Sequence, residues 1–257
     1  MSDKPFSLFY LVPGKVLGGR HKIVAPSRQS GLSAAFEVTE EDSGRRLETT
    51  VFPAALFDNK KQLEEYRQFL DPWKTVSSPH VVQVVDVINV FDTTLAMVTE
   101  FPTGESMRDW LHENRQLKGT RVRRIGIQLC MGLERIHKAE LVHGDIKPHT
   151  IHVSEGRKGL HAQLVDGGIT PGLWNAKHLG EHTALIGTPF YAPVEQFGGE
   201  SPDVQSDIYN VATVLFELAC GTLPWPGSSF LEVFQAKLDR NAPAMAARAP
   251  DAEVDPG

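Results

Sequence analysis

The stretch LVHGDIKPHTIHV, residues 141–153, sets an acid, a lysine and a proline (Asp145, Lys147 and Pro148) in the order that a phosphoryl-transfer enzyme keeps, and Thr150 where such an enzyme keeps an asparagine. Chemistry of that kind asks little covalent work of a protein. It asks that a phosphoryl group and a hydroxyl be held in line and that the developing charge be stabilised. Losing a positioning group therefore means losing rate, and each group can be checked separately. His137, His143, His149 and His152 crowd the same region. His149 and His152 straddle the start of a strand, and no cysteine or acidic spacing accompanies them, so they read as ordinary histidines rather than zinc ligands.

Such groups must be carried by stiff elements. Residues 20–26 (RHKIVAP), 34–40 (AAFEVTE) and 45–53 (RRLETTVFP) have β character and are separated by turn-like clusters, which predicts a three-stranded antiparallel start. A helix follows over 58–71 and stops at Pro72, which lacks an amide donor. Residues 80–91 and 94–101 read as two more strands. From Ser106 the texture turns helical, and Ile125, Leu129, Leu133 and Ile136 recur at helical spacing. The division expected is an N-terminal segment 1–17, a strand-rich lobe 18–101, a helical lobe 102–241 and a tail 242–257 that is either frayed or the start of missing last helices. The fold class is α+β.

The chain has 257 residues, 41% of them hydrophobic, enough for one large core or two. A formal net charge of −6 argues against a general electrostatic grip on nucleic acid or anionic membrane. Cys130 and Cys220 each lie in an apolar stretch and are expected as buried thiols, which suits a reducing, cytoplasmic compartment. No apolar run approaches the ~20 residues of a membrane span. Trp73, Trp110, Trp174 and Trp225 are scattered and read as core residues.

Several ordered motifs now share one resemblance. HGDIKPHT (143–150), DGG (166–168), GTPFYAPVEQ (187–196) and SDIYNVATVLFELACGTLPWPG (206–227) resemble the catalytic loop, the D-F-G, the A-P-E segment and the anchoring helix of eukaryotic-like (Hanks-type) protein kinases. The resemblance runs over residues 18–240 and implies a bilobal kinase fold. It implies that Asp145 accepts the proton of a substrate hydroxyl, that Lys147 steadies the transferred phosphate and that Asp166 is a metal ligand. It also gives His143, Gly167, Thr188, Glu195 and Asp207 structural places. In the family, the aspartate at 207 braces the catalytic loop and the glutamate at 195 pairs with an arginine near the end of the fold. No stretch resembling that end is present in the 257 residues. Lys147 and Thr188 resemble the serine/threonine branch.

Other positions depart from the pattern. The family's phosphate-cradling glycines fall on Arg28, Ser30 and Ser33. The small residue under adenine becomes Glu48, and the phosphate-binding lysine becomes Thr50, with no lysine between Lys22 and Lys60. Arg46 shares the face of Glu48 and Thr50, so it and Arg28 are the candidates for a relocated cation. Phe69 stands where a glutamate partner is expected, Gly144 where an arginine is, and Gly167 where the phenylalanine is, which implies a looser or misaligned segment beyond it. Thr150 replaces a magnesium-binding asparagine. The reading is a degenerate, inactive member, a pseudokinase that engages other signalling proteins, with no cofactor expected. Two alternatives remain: an active Ser/Thr kinase using ATP and Mg²⁺ through a displaced cation, and a sensor of a nucleotide or another small molecule without phosphotransfer. The oligomeric state is left open.

Overall fold

The computed structural model describes residues 8–29, 33–90, 94–157, 159–177, 189–225, 227–239 and 241–250. Ser30 and Thr188 lie outside them. The chain divides into two compact units, one of residues 1–77 and 82–102, the other of 78–81 and 103–257.

Among the described residues, the first unit is a six-stranded sheet with one α-helix. Strands β1 (Val16–Leu17), β2 (His21–Gln29), β3 (Ala34–Glu40) and β4 (Arg46–Val51) precede helix α1 (Lys60–Leu70), and β5 (Val84–Val90) and β6 (Thr94–Glu100) follow it. The strand order is β1-β2-β3-β4-β6-β5, antiparallel throughout. The three strands expected at the start are β2, β3 and β4, and β1 adds a short edge that the sequence pattern did not reveal. One face of the sheet is apolar because Phe36, Val38, Leu47, Val51, Ala96 and Val98 alternate onto it. Proline interrupts the helix as expected: α1 ends at Leu70 and Asp71–Thr75 tightens into a 3-10 turn. Tyr66 of α1 packs edge-on against Phe52, with ring centroids 5.1 Å apart.

The second unit begins with β7 (Glu105–Ser106), α2 (Met107–Glu113) and the long α3 (Gly119–Lys138), whose Ile125, Leu129, Leu133 and Ile136 are buried. A hairpin of β8 (Ile151–Gly156) and β9 (Gly159–Leu164) pairs with β7 in the order β7-β8-β9. The outer edge of β9 is not left open. Gln128 of α3 donates to the Leu160 carbonyl and accepts from the Ala162 amide, which blunts an edge that would otherwise invite pairing. Helices α4 (Ile169–Ala176), α5 (Val194–Phe197), α6 (Val204–Cys220), α7 (Phe230–Asp239) and α8 (Met245–Arg248) complete the unit. An Asp203–Ser206 capping box starts α6, and Gly221 at φ 68° ends it. All four tryptophans are buried. Cys220 is buried as expected, whereas Cys130 is exposed, because it falls on the flank of α3, about 100° around the helix from Leu129, rather than within the buried stripe.

Candidate functional site

The polar face of the first sheet carries the departures from the kinase pattern. Glu37 and Glu48 stand directly opposite one another on β3 and β4, with Ala35 and Thr50 in the adjacent row and Thr39 and Arg46 in the next row of paired residues on the other side. Two carboxylates facing each other across a ladder repel. Each is neutralised by an arginine on the diagonal. Arg46 forks onto Glu37, Nε to Oε1 at 2.8 Å and the terminal nitrogen to Oε2 at 2.9 Å, and it lies 3.6 Å from the Phe101 ring centroid. Arg46 in turn holds the Glu37 carboxyl below its ordinary range.

Arg28 pairs with Glu48, whose side chain is 1% exposed. The guanidinium donates to both carboxylate oxygens, Nε at 3.3 Å and the terminal nitrogen in a tight contact, and Ser27 Oγ donates to Oε2 at 2.6 Å. The backbone makes this reach possible. Register shifts flank Pro26 in β2, and a bulge of that kind re-aims the side chains that follow it. Thr50 is also buried, beside Glu48 on the same face. Both arginine candidates for a relocated cation are therefore committed to glutamates. Ser33 lies half-buried in the loop before β3. On α1, Phe69 is half-buried, Glu64 is exposed and Glu65 pairs with Lys61 at 3.5 Å.

In the second unit the loop before β8 is tied together internally. Asp207 of α6, fully buried, accepts from the backbone amides of His143 at 2.9 Å and Gly144 at 2.8 Å and contacts His137 Nε2 at 2.9 Å. His143 accepts from the Asp145 amide at Nδ1 and faces the Val165 carbonyl through Nε2 at 2.9 Å, which fixes the proton on Nε2. Lys147 Nζ donates to Asp145 Oδ2 at 2.6 Å. The Thr150 hydroxyl donates toward the Asp145 carbonyl at 2.7 Å and accepts from the Lys147 amide at 3.1 Å. That hydroxyl serves the loop backbone. Asp166 adopts φ 62°, a left-handed conformation uncommon outside glycine.

Gly144 explains itself sterically. Its φ is 79°, and a Cβ there would sit 2.4 Å from Cγ of Pro171 and 2.5 Å from its Cδ. No arginine fits this backbone. Pro171 belongs to α4, where Ile169, Leu173 and Trp174 are buried, so the residues just past Gly167 form a packed helix; most of the segment expected to be looser or misaligned lies outside the described residues.

Glu195 lies on α5, and its charge, after burial, raises Tyr209. The structure adds residues that sequence pattern alone did not single out. Tyr191 Oη donates to Glu217 Oε2 at 2.6 Å, and burial pushes both groups above their ordinary values. Lys237 of α7 donates to three backbone carbonyls in residues 189–192. Burial pulls its amine down to about 8, against the opposing pull of Glu195. The one sequence signal for Lys237 was its standing as the sole basic residue in α7.

Among the described residues no group of three His, Cys, Asp or Glu side chains is arranged for a metal ion, and no helix is long and apolar enough to cross a membrane. On the polar sheet face the Glu48 carboxylate is buried, and Arg28 and Arg46 are each paired with a glutamate.

Residues 32–254 match the protein kinase domain family. A probable serine/threonine-protein kinase of Clostridium perfringens is 26% identical over 216 residues, covering 84% of this chain and 31% of that protein. The serine/threonine-protein kinase pkn2 of Myxococcus xanthus is 28% identical over 241 residues, covering 90% of this chain and 29% of that protein. The chain thus spans about a third of the length of these relatives. The kinase domain of Mycobacterium tuberculosis PknI superposes with a TM-score of 0.71 at 17% identity, over 95% of this chain and 86% of that one, a likeness of fold. With motifs, architecture and a match over most of its length in agreement, the chain belongs to the protein kinase family.

Proposed function

We propose that this kinase domain is catalytically impaired and acts as a protein-binding scaffold or allosteric regulator in signalling, a pseudokinase. The observation that carries the reading is the Ser27–Arg28–Glu48 cluster. The position resembling the small residue under adenine holds a buried carboxylate, and the position resembling the first cradle glycine holds the arginine that neutralises it. A nucleotide would have to break a buried ion pair, which costs several kcal/mol because one charge is left uncompensated. Thr50 in place of lysine and a Thr150 hydroxyl engaged by its own loop point the same way. General base catalysis by Asp145 alone is worth roughly 10²–10⁴ in rate, a fraction of what phosphoryl transfer needs.

Three observations favour the alternative of an active Ser/Thr kinase. Asp145, Lys147 and Asp166 are all retained, the loop is braced by Asp207, and the relatives are named as serine/threonine kinases. Thermal unfolding with and without ATP, ADP and Mg²⁺ separates the two, since a ligand held only by the folded state raises the midpoint by mass action. The expected result is no shift at millimolar nucleotide, and a Glu48→Ala/Thr50→Lys double variant that gains one. A magnesium-dependent shift in the unaltered protein, with phosphate incorporation that Asp166→Ala abolishes, overturns the proposal.

A further inference from the structure

Residues 189–192 form neither helix nor strand, so their carbonyls have no ladder or helical partner, and buried carbonyls require one. Two side chains supply the donors. Lys237 Nζ reaches the carbonyl oxygens of Pro189 at 3.1 Å, Phe190 at 3.2 Å and Ala192. Asn210 of α6 reaches that of Tyr191 at 2.7 Å. The same ammonium lies 5.5 Å from the Phe197 ring, 5.2 Å from Tyr209 and 5.6 Å from Trp225, all within the range in which a ring face attracts a cation. Tyr209 and Trp225 stack at an interplanar angle of 10°, so two walls of this enclosure brace each other. An ammonium has three protons to give, and here three carbonyls take them.

We infer that Lys237 is the positioning residue of segment 189–197, and that the carbonyls and rings around its Nζ form a built site for a primary alkylammonium ion. The site draws its occupant from α7. The contacts of this lysine are chiefly main-chain oxygens and aromatic faces, and the charge of Glu195 acts on it as well. The lowered proton affinity of Lys237 fits an amine withdrawn from water. Whether the domain transfers phosphate has no bearing on this site.

The test removes the tether and returns the cation. Lys237→Ala lacks three carbons and the amine, the outline of n-propylammonium. The variant is expected to unfold about 5 °C below the unaltered protein, and n-propylammonium chloride is expected to recover at least half of that loss. Sodium chloride at equal ionic strength and n-propanol at equal concentration are expected to recover none of it. Equal recovery with n-propanol would mean a plain cavity and would overturn the inference, as would an unchanged midpoint in Lys237→Ala. Should that variant fail to fold, Lys237→Met keeps the apolar chain and deletes the charge. Amide hydrogen exchange at Tyr191 and Ala192 is then expected to rise at least tenfold, and exchange at the original rate would refute the positioning role.

Discussion

At the scale of single residues, the polar sheet face is a problem of charge placement with one solution. Glu37 and Glu48 face each other, and Arg46 and Arg28 separate their fields from opposite diagonals. The two pairs differ in worth. The Arg46 side chain is 60% exposed, so its pair with Glu37 contributes little. Glu48 is enclosed, and removing its partner strands a charge. Arg28→Ala is expected to cost about 3 kcal/mol, and the double variant Arg28→Ala/Glu48→Ala to cost less than half the sum of the two single changes. Urea unfolding of the four proteins closes this cycle. Additive losses would mean that the pair is not coupled, and the proposal that this cluster excludes nucleotide would lose its basis.

At the scale of elements, the loop at 143–150 and helix α4 are fitted to each other at Gly144. The loop backbone turns left-handed there and delivers its amide to Asp207, while Pro171 fills the space a side chain would need. Gly144→Ala meets two costs together. The left-handed backbone disfavours any β-carbon by roughly 1–2 kcal/mol, and the rigid proline ring must also move. A loss of about 3 kcal/mol is expected, with hydrogen exchange accelerating first in α4. If exchange rose uniformly across the second unit instead, α4 would not be the element that yields. The same fit explains why this backbone carries a glycine and no larger side chain.

At the scale of the whole molecule, both units carry histidines that resist protonation. His21 is fully buried in the first, among Arg20, Glu40, Asp86 and the Leu17 backbone, and burial foremost holds its proton affinity below the ordinary 6.5. Burial lowers His149 and His161 of the second unit as well. The unfolded chain takes up protons below 6.5 that the native chain refuses, so this stability is present above 6.5 and is lost as pH falls toward the lowered native values. Urea midpoints are expected to drop between about pH 7 and pH 5. His21→Leu, which removes a buried titratable ring, should flatten that drop for the first unit. An unchanged slope in His21→Leu would place the acid sensitivity elsewhere.

The order and spacing of HGDIKPHT, DGG and SDIY were enough to identify the family and the α+β class. Period-two and helical patterns were enough to place β2 to β6, α1 and α3, because those elements bury one face and must repeat it along the chain. The absence of a lysine between Lys22 and Lys60 was equally plain in sequence. How the residues in those positions pair was not. The bulge at Pro26 that carries Arg28 to Glu48, the collision that Pro171 prepares for any side chain at Gly144, and the enclosure of Lys237 by residues 189–225 each join segments distant in sequence. Local pattern fixes which residues face inward. Only the folded chain decides which of them meet, because burial, diagonal reach across a sheet and the supply of donors to irregular backbone are properties of three-dimensional neighbours.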